Sequence, residues 1–347
     1  MIRIKFLSNS VNSASTSAWR RQLPDTAPTW GKCEFIFDPM ARHYDWLVVY
    51  DRFPSVAGER FSMWREELAC PPENTLFITV EPSSIKSYEP TFLAQFGYVL
   101  TGHEPWSIGG HPAIIRSQPA LRWFYGCGGE RLKTLDQLRA ESPLTKAQSI
   151  STVCSTKNQN HTLHRKRYEF TKKLKKAIPH LNIYGRGVKP IRDKAEAIDS
   201  YRYHIAIENH RCDHHWTEKI SDAFLGWSLP LYYGCTNLRD YFPEESFIEI
   251  DINDFDDTVG LIQNLLLSDE YEKRLPAIMK ARDLVLNKYN LFAVVARLVE
   301  EGGALEPNHS GLNAIYSRHA LRKASIKQMI SYGIQSIQRQ LRARINF

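Results

Sequence analysis

Groups capable of chemistry gather in YRYHIAIENHRCDHHWTEK, residues 201–219. The run Tyr203–Ile207 predicts a strand that ends in Glu208 and Asn209, and after a polar loop Thr217, Glu218 and Lys219 open a helix. A helix N-terminus presents unpaired backbone N–H groups and a positive partial charge, both suited to phosphate. Lys219 adds a full charge, and Glu218 can accept hydrogen bonds from sugar or ribose hydroxyls. The same residues equally suit a plain capped helix with Thr217 as N-cap and Glu218 as first-turn acid.

The loop between the strand and the helix carries His210, Cys212, His214 and His215. These are metal-ligating types, but the spacing matches no common zinc pattern and no second Cys/His pair stands at the usual distance. No metal is expected. The six cysteines are scattered without a CxxC pair and read as free thiols of a reducing compartment.

The elements that must position these groups follow from the apolar runs. Strands are predicted at Ile2–Leu7, Cys33–Phe37, Trp46–Tyr50, Leu76–Val80 and Tyr98–Leu100, with room for crossover helices between them. A polar, Gly-containing stretch from Gly126 to about Gln148 reads as a linker. The alternation then restarts with strands at Ile150–Cys154, Asn182–Tyr184, Tyr203–Ile207, Leu229–Tyr233 and Phe247–Ile250. Helices are predicted at Arg165–Ala177, Ile220–Leu225, Thr258–Leu267 and Glu270–Leu284. Two successive βαβ halves predict an α/β chain of two Rossmann-like domains facing across a cleft. The expected division is 1–148, 149–303 and a tail, 304–347.

The tail has its own character. Ile326, Ile330, Ile334, Ile337, Leu341 and Ile345 recur at helical spacing. From Arg318 to the end there are seven Lys and Arg and no acid, which equals the whole net charge of +7. Such an amphipathic helix suits an anionic membrane surface or a packing partner. The remaining composition is balanced, and nucleic acid is not an expected partner. No apolar run approaches the roughly 20 residues of a bilayer span, and the N-terminus reads as a strand rather than a signal segment. A cytoplasmic protein, peripheral at the inner membrane face, is expected.

Beyond the residue chemistry, the segment resembles glycosyltransferase family 10, the α-1,3/4-fucosyltransferases. Tyr201-Arg202-Tyr203, Ile207-Glu208-Asn209, Trp216-Thr217-Glu218-Lys219, Ala223, Pro230 and Gly234-Cys235-Thr236-Asn237 stand where that family has its donor-binding signature. Phe242-Pro243, Ser246-Phe247-Ile248 and Asp254-Phe255 extend the match. The resemblance implies a GT-B fold and an inverting, metal-independent transfer of L-fucose from GDP-fucose to an acceptor glycan, of the bacterial type. GlcNAc or Glc in a surface polysaccharide, lipopolysaccharide precursor or lipid-linked glycan is the implied acceptor. It carries the donor contacts to Asn209, Glu218 and Lys219, and a diphosphate-pairing arginine to Arg167, where a guanidinium fork suits phosphate oxygens. His215 stands where the family has tyrosine, and Trp216 where it has valine. The acidic run Asp251–Asp257 matches the family's Asp-Phe element and so reads as structural rather than as a metal motif.

The resemblance also implies a general base at Glu81, just beyond a predicted strand end in Thr79-Val80-Glu81-Pro82. An attacking acceptor hydroxyl must lose its proton, and a partly desolvated carboxylate can take it. Lys219 and Arg167 would stabilise the departing GDP. Glu89 and Glu104 are the other carboxylates of the region. The same scaffold with another nucleotide sugar, and a non-catalytic membrane-associated binder of glycan or nucleotide, are the alternative readings.

Overall fold

The computed structural model describes residues 1–10, 16–55, 58–156, 163–302, 305–324 and 333. The chain forms two compact units, Met1–Ala120 with Leu291–Phe347, and Leu121–Asn290.

The first unit contains β1 (Ile2–Leu7), β2 (Thr29–Trp30), β3 (Cys33–Ile36), β4 (Trp46–Tyr50), β5 (Arg65–Glu67), β6 (Thr75–Ile78), β7 (Tyr98–Thr101) and β8 (Ile114–Arg116), with short helices α1 (Thr16–Arg20) and α2 (Pro90–Leu93). Seven strands make one sheet in the order β2-β3-β1-β4-β6-β7-β8, parallel except for the β2/β3 pair. Side chains alternate between two covered faces, as a parallel sheet requires. Ile4, Phe6, Val48, Tyr50 and Ile78 pack on one side. Leu7, Val49, Phe77 and Val99 pack on the other.

In the second unit, the hairpin β9 (Cys127–Gly128) and β10 (Arg131–Leu132) leads into α3 (Leu135–Ala140). The sheet strands are β11 (Gln148–Val153), β12 (Asn182–Tyr184), β13 (Tyr201–Ile207), β14 (Leu229–Tyr233) and β15 (Ile248–Glu249). The helices are α4 (His164–Ala177), α5 (Glu218–Leu225), α6 (Phe255–Leu266) and α7 (Glu270–Leu286). The sheet is wholly parallel, in the order β12-β11-β13-β14-β15. The expected pair of Rossmann-like sheets is therefore present, each within its own unit.

The chain crosses between units elsewhere than at residues 148 and 303. The predicted linker is part of the second unit: Thr134 and Gln137 form a capping box on α3, and Leu135 and Leu138 are buried. Arg282 on α7 donates to the Leu138 carbonyl. After α7 the chain returns to the first unit as α8 (Leu291–Glu300), whose Leu291, Phe292, Val295 and Val299 join the core beside Phe6 and Phe35.

The expected tail begins before its isoleucine-faced stretch. Its first part forms β16 (Ala314–Tyr316), antiparallel to β5, and then α9 (Arg318–Ala324). Strand β5 is anchored by a buried ion pair, Glu66 Oε1 to Lys5 Nζ at 2.7 Å. The isoleucine-faced stretch from Ile326 onward lies outside the described residues, Gly333 apart. Among the described residues no helix is long and apolar enough to cross a membrane.

Candidate functional site

In the first sheet β1 lies between β3 and β4, and in the second β11 lies between β12 and β13, so each has a switch point where successive connections depart to opposite sides. Ligands in such sheets bind outside the carboxyl ends of the strands at that point. In the second unit the point falls between β11 and β13. A cavity of about 240 Å³ opens there, lined by Ser155 beyond β11 and Ile207 and Asn209 at the end of β13. Arg167, Glu218 and Lys219 line it too, so four of the five expected donor residues share one cavity. His215 is buried but does not line it.

Arg167 is in the first turn of α4. Its Nη1 donates to Asn209 Oδ1 at 2.7 Å and to the Ile207 carbonyl at 3.2 Å. Its buried Nε has no hydrogen-bond partner among the described residues. Helix α4 starts from Leu163, which supplies no side-chain cap. Helix α5 differs. Thr217 is its N-cap, accepting from Lys219 N, and the fully buried Glu208 carboxylate accepts from Thr217 N at 2.9 Å. A carboxylate therefore sits beside the N-cap of α5, whereas the start of α4 has no side-chain cap. Gly234 allows this packing, since a Cβ there would lie 2.4 Å from Glu208 Cγ.

The remaining charges form a chain. Lys219 Nζ lies 3.0 Å from Glu208 and 3.3 Å from Glu218. Lys194 Nζ lies 3.6 Å from Glu218 and 2.7 Å from Asp222. Burial opposes the charge on Glu218, yet Lys219 and Lys194 hold its carboxyl well below the usual range. Burial likewise opposes the charge on Lys219, but Glu208 and Glu218 keep its ammonium pKa raised. Glu218 is thus a fixed, ionised acceptor with its side chain 24 % exposed. Lys194 was not among the expected residues. It sits on a short 3-10 turn with no local pattern except the Asp193 cap, and only the fold brings it to Glu218.

The two departures from the family pattern take no part in the lining. Trp216 is buried edge-on among Tyr241, Phe242 and Tyr289. His215 packs against His210, with ring centres 5.8 Å apart. His214, at φ +63°, is locked by Asn237 and Tyr241. In the acidic run, Asp251 closes a turn on Asn253, and Asp254 caps α6.

In the first unit the switch point falls between β1 and β4. A cavity of about 440 Å³ opens there, lined by Asn9 beyond β1, Asp51 beyond β4 and Glu81 beyond β6. Glu81 is half-buried, and its carbonyl accepts from His103 Nε2 at 2.8 Å. Asp51 has φ +64° and receives Lys86 Nζ at 2.6 Å and Tyr88 OH at 2.8 Å. Glu89 is 3 % exposed and held by Arg318 and Arg322, which removes it as a competing base.

The family model described as glycosyltransferase family 10 (fucosyltransferase) C-term matches residues 144–277. An α-(1,3)-fucosyltransferase of Helicobacter pylori is 29% identical over 76 residues, 22% of this chain and 16% of that protein. An α-(1,4)-fucosyltransferase of Arabidopsis thaliana is 36% identical over 53 residues, 15% of this chain and 13% of that protein. The matched segments thus span less than a fifth of either relative. A crystal structure of an α1,3-fucosyltransferase with GDP-fucose aligns over 79% of this chain and 81% of its own, at 16% identity and a TM-score of 0.47. A DNA-modifying β-glucosyltransferase aligns over 86% of this chain and 100% of its own, at 8% identity and a TM-score of 0.49. Residues 144–277, which carry the cavity of the second unit, are thus the part of the chain that is similar to glycosyltransferase family 10.

Proposed function

We propose that the protein is an inverting glycosyltransferase that moves L-fucose from GDP-fucose to a hydroxyl of an acceptor glycan. The observation that carries this reading is the meeting of Arg167, Asn209, Glu218 and Lys219 in one cavity of a family 10 domain. Arg167, oriented by Asn209, pairs with the diphosphate beside the uncapped start of α4. Glu218 accepts hydrogen bonds from the hydroxyls of the nucleotide ribose or of fucose. Lys219, kept charged by Glu208 and Glu218, offsets the negative charge that grows on GDP as it leaves. His215 acts on the donor only through the loop it packs in.

Glu81 is the general base in this reading. Its carboxylate takes the proton of the acceptor hydroxyl while that oxygen attacks the anomeric carbon and the bond to GDP breaks. No metal is required for the step, because protein cations supply the compensating charge. Replacing Glu81 by Gln should lower transfer by at least about a hundredfold with GDP-fucose affinity unchanged. Near-normal transfer by E81Q would remove Glu81 from this role.

The basic, isoleucine-spaced segment from Ile326 onward supports docking on an anionic membrane surface, consistent with a lipid-linked acceptor. Truncation after Ala324 should abolish sedimentation with anionic vesicles while transfer to a water-soluble acceptor persists.

A further inference from the structure

The cavity at the switch point of the first sheet carries more positive than negative charge. Asp51 is shared by Lys86 at 2.6 Å and Arg52 at 3.3 Å. Glu89, just behind the wall, is shared by Arg318 and Arg322. Arg60 lines the same cavity and, among the described residues, has neither a hydrogen bond nor an ion pair. Each of these two carboxylates thus serves two cations, and Arg60 adds another. The single charge of Glu81 does not balance them.

The cavity also has an apolar platform. Phe61 is 52% exposed. His319 stacks on its ring at 4.9 Å, and the Arg60 guanidinium lies over it at 5.3 Å. A pyranose C–H face can cover the exposed part of this ring in place of the Arg60 guanidinium, which then turns from the ring to an oxyanion substituent of the sugar. Arg318, His319 and Arg322 all come from the C-terminal segment after β16, so that segment is a wall of the cavity.

We infer that this cavity binds a sugar bearing a phosphate or carboxylate, so that the acceptor of the reaction proposed above is an acidic glycan. Arg60, with Arg318 and Arg322, reads the oxyanion. Phe61 supports the ring, and Glu81 faces the same space as the acceptor hydroxyl. The choice of acceptor rests on the transferase reading, whereas the charged-sugar site itself does not.

The test is calorimetric titration of the full chain, without donor, using GlcNAc, GlcNAc 6-phosphate, inorganic phosphate, glucose and glucuronate. At least one charged sugar should bind about tenfold more tightly than its neutral partner, as expected for a charge-assisted contact. It should also bind more tightly than inorganic phosphate. Whether the phosphate pair or the glucuronate pair shows the preference identifies the oxyanion. Arg60→Gln, at an exposed position without ion pairs among the described residues, should reduce that preference about fivefold with unchanged melting. Phe61→Ala should weaken the charged sugar but not inorganic phosphate. Equal binding of charged and neutral sugars, or phosphate binding as tightly as the sugar phosphate, would overturn the inference. Charged-sugar binding without any GDP-fucose consumption would refute the transferase reading and leave the site standing. Equal fucosyl transfer to neutral and acidic acceptors would refute the acidic acceptor alone.

Discussion

Arg167 and Asn209, 42 residues apart in sequence, are joined by a hydrogen bond of 2.7 Å across the mouth of one strand. One comes from the first turn of α4, the other from the residue pair after β13. The bond fixes the guanidinium plane while leaving the buried Nε without a hydrogen-bond partner among the described residues. A donor so placed is costly unless a ligand satisfies it. Asn209→Ala should therefore weaken GDP binding about tenfold by freeing the arginine. Arg167→Lys, which keeps the charge but loses the fork, should weaken it at least as much. Titration with GDP checks both, and an unchanged dissociation constant for either variant would count against the diphosphate role.

Lys194 joins Glu218 to Asp222, and the Asp222 side chain is 1% exposed. Lys194→Met leaves that carboxylate without its cation and should cost about 3 kcal/mol of stability near pH 7. Because the folded pKa of Glu218 lies below its unfolded value of 4.5, its contribution is present above that pH and is lost as pH falls toward the folded value. Lys194→Met relieves part of that depression, so the gap between wild type and variant should narrow on acidification. Urea denaturation across that range measures it.

Burial lowers the Lys86 pKa to about 8, against partial support from Asp51. Arg318 and Arg52 lower it further, and Tyr88 and Glu81 share its surroundings. Between about 8 and the unfolded 10.5 the unfolded chain binds more protons than the folded one, so Lys86 makes stability rise with pH in that window. Binding of an acidic sugar should run the other way and weaken above about pH 8. Lys86→Met should flatten the pH dependence of binding measured from pH 7 upward.

The C-terminal segment is part of the first unit's structure. Arg318 and Arg322 hold the carboxyl of Glu89 below the usual range despite its burial. Truncation after Asn308 removes both, together with β16, and should cost at least about 3 kcal/mol by leaving a buried charge unpaired. GDP binding, which the proposed function assigns to the second unit, should persist in that variant wherever it remains folded. Truncation after Ala324 should leave the melting temperature unchanged. Equal melting of the two truncations would contradict this account.

Much of the second unit was legible because its signals are local. The run Leu229–Tyr233 is a strand with the predicted bounds, β13 begins two residues before its predicted start at Tyr203, and α4 begins one residue before its own. Asn209, Glu218 and Lys219 follow directly from those elements. What local patterns concealed depends on the sheets. Helix α8 is apolar nearly all round, so its periodicity does not separate helix from strand. Gly128, Gly129 and Pro143 make residues 126–148 read as a linker, although the Thr134–Gln137 capping box marks a helix there. Lys194 beside Glu218, and Glu89 beside Arg318, are pairings that only the folded chain creates. The Glu208–Thr217 contact is another such pairing, since Glu208 reaches the N-cap of α5 only because β13 ends beside it.

The central claim is that this chain spends GDP-fucose on an acceptor hydroxyl. The direct measurement is nucleotide release and sugar transfer with GDP-fucose, GDP-mannose, UDP-sugars and dTDP-sugars, each offered with neutral and acidic GlcNAc- and Glc-containing acceptors. The account predicts acceptor-dependent GDP release from GDP-fucose, transfer of fucose, and loss of transfer in E81Q with donor affinity retained. Consumption of another nucleotide sugar with GDP-fucose left intact would contradict it, as would binding of GDP-fucose without turnover on any acceptor.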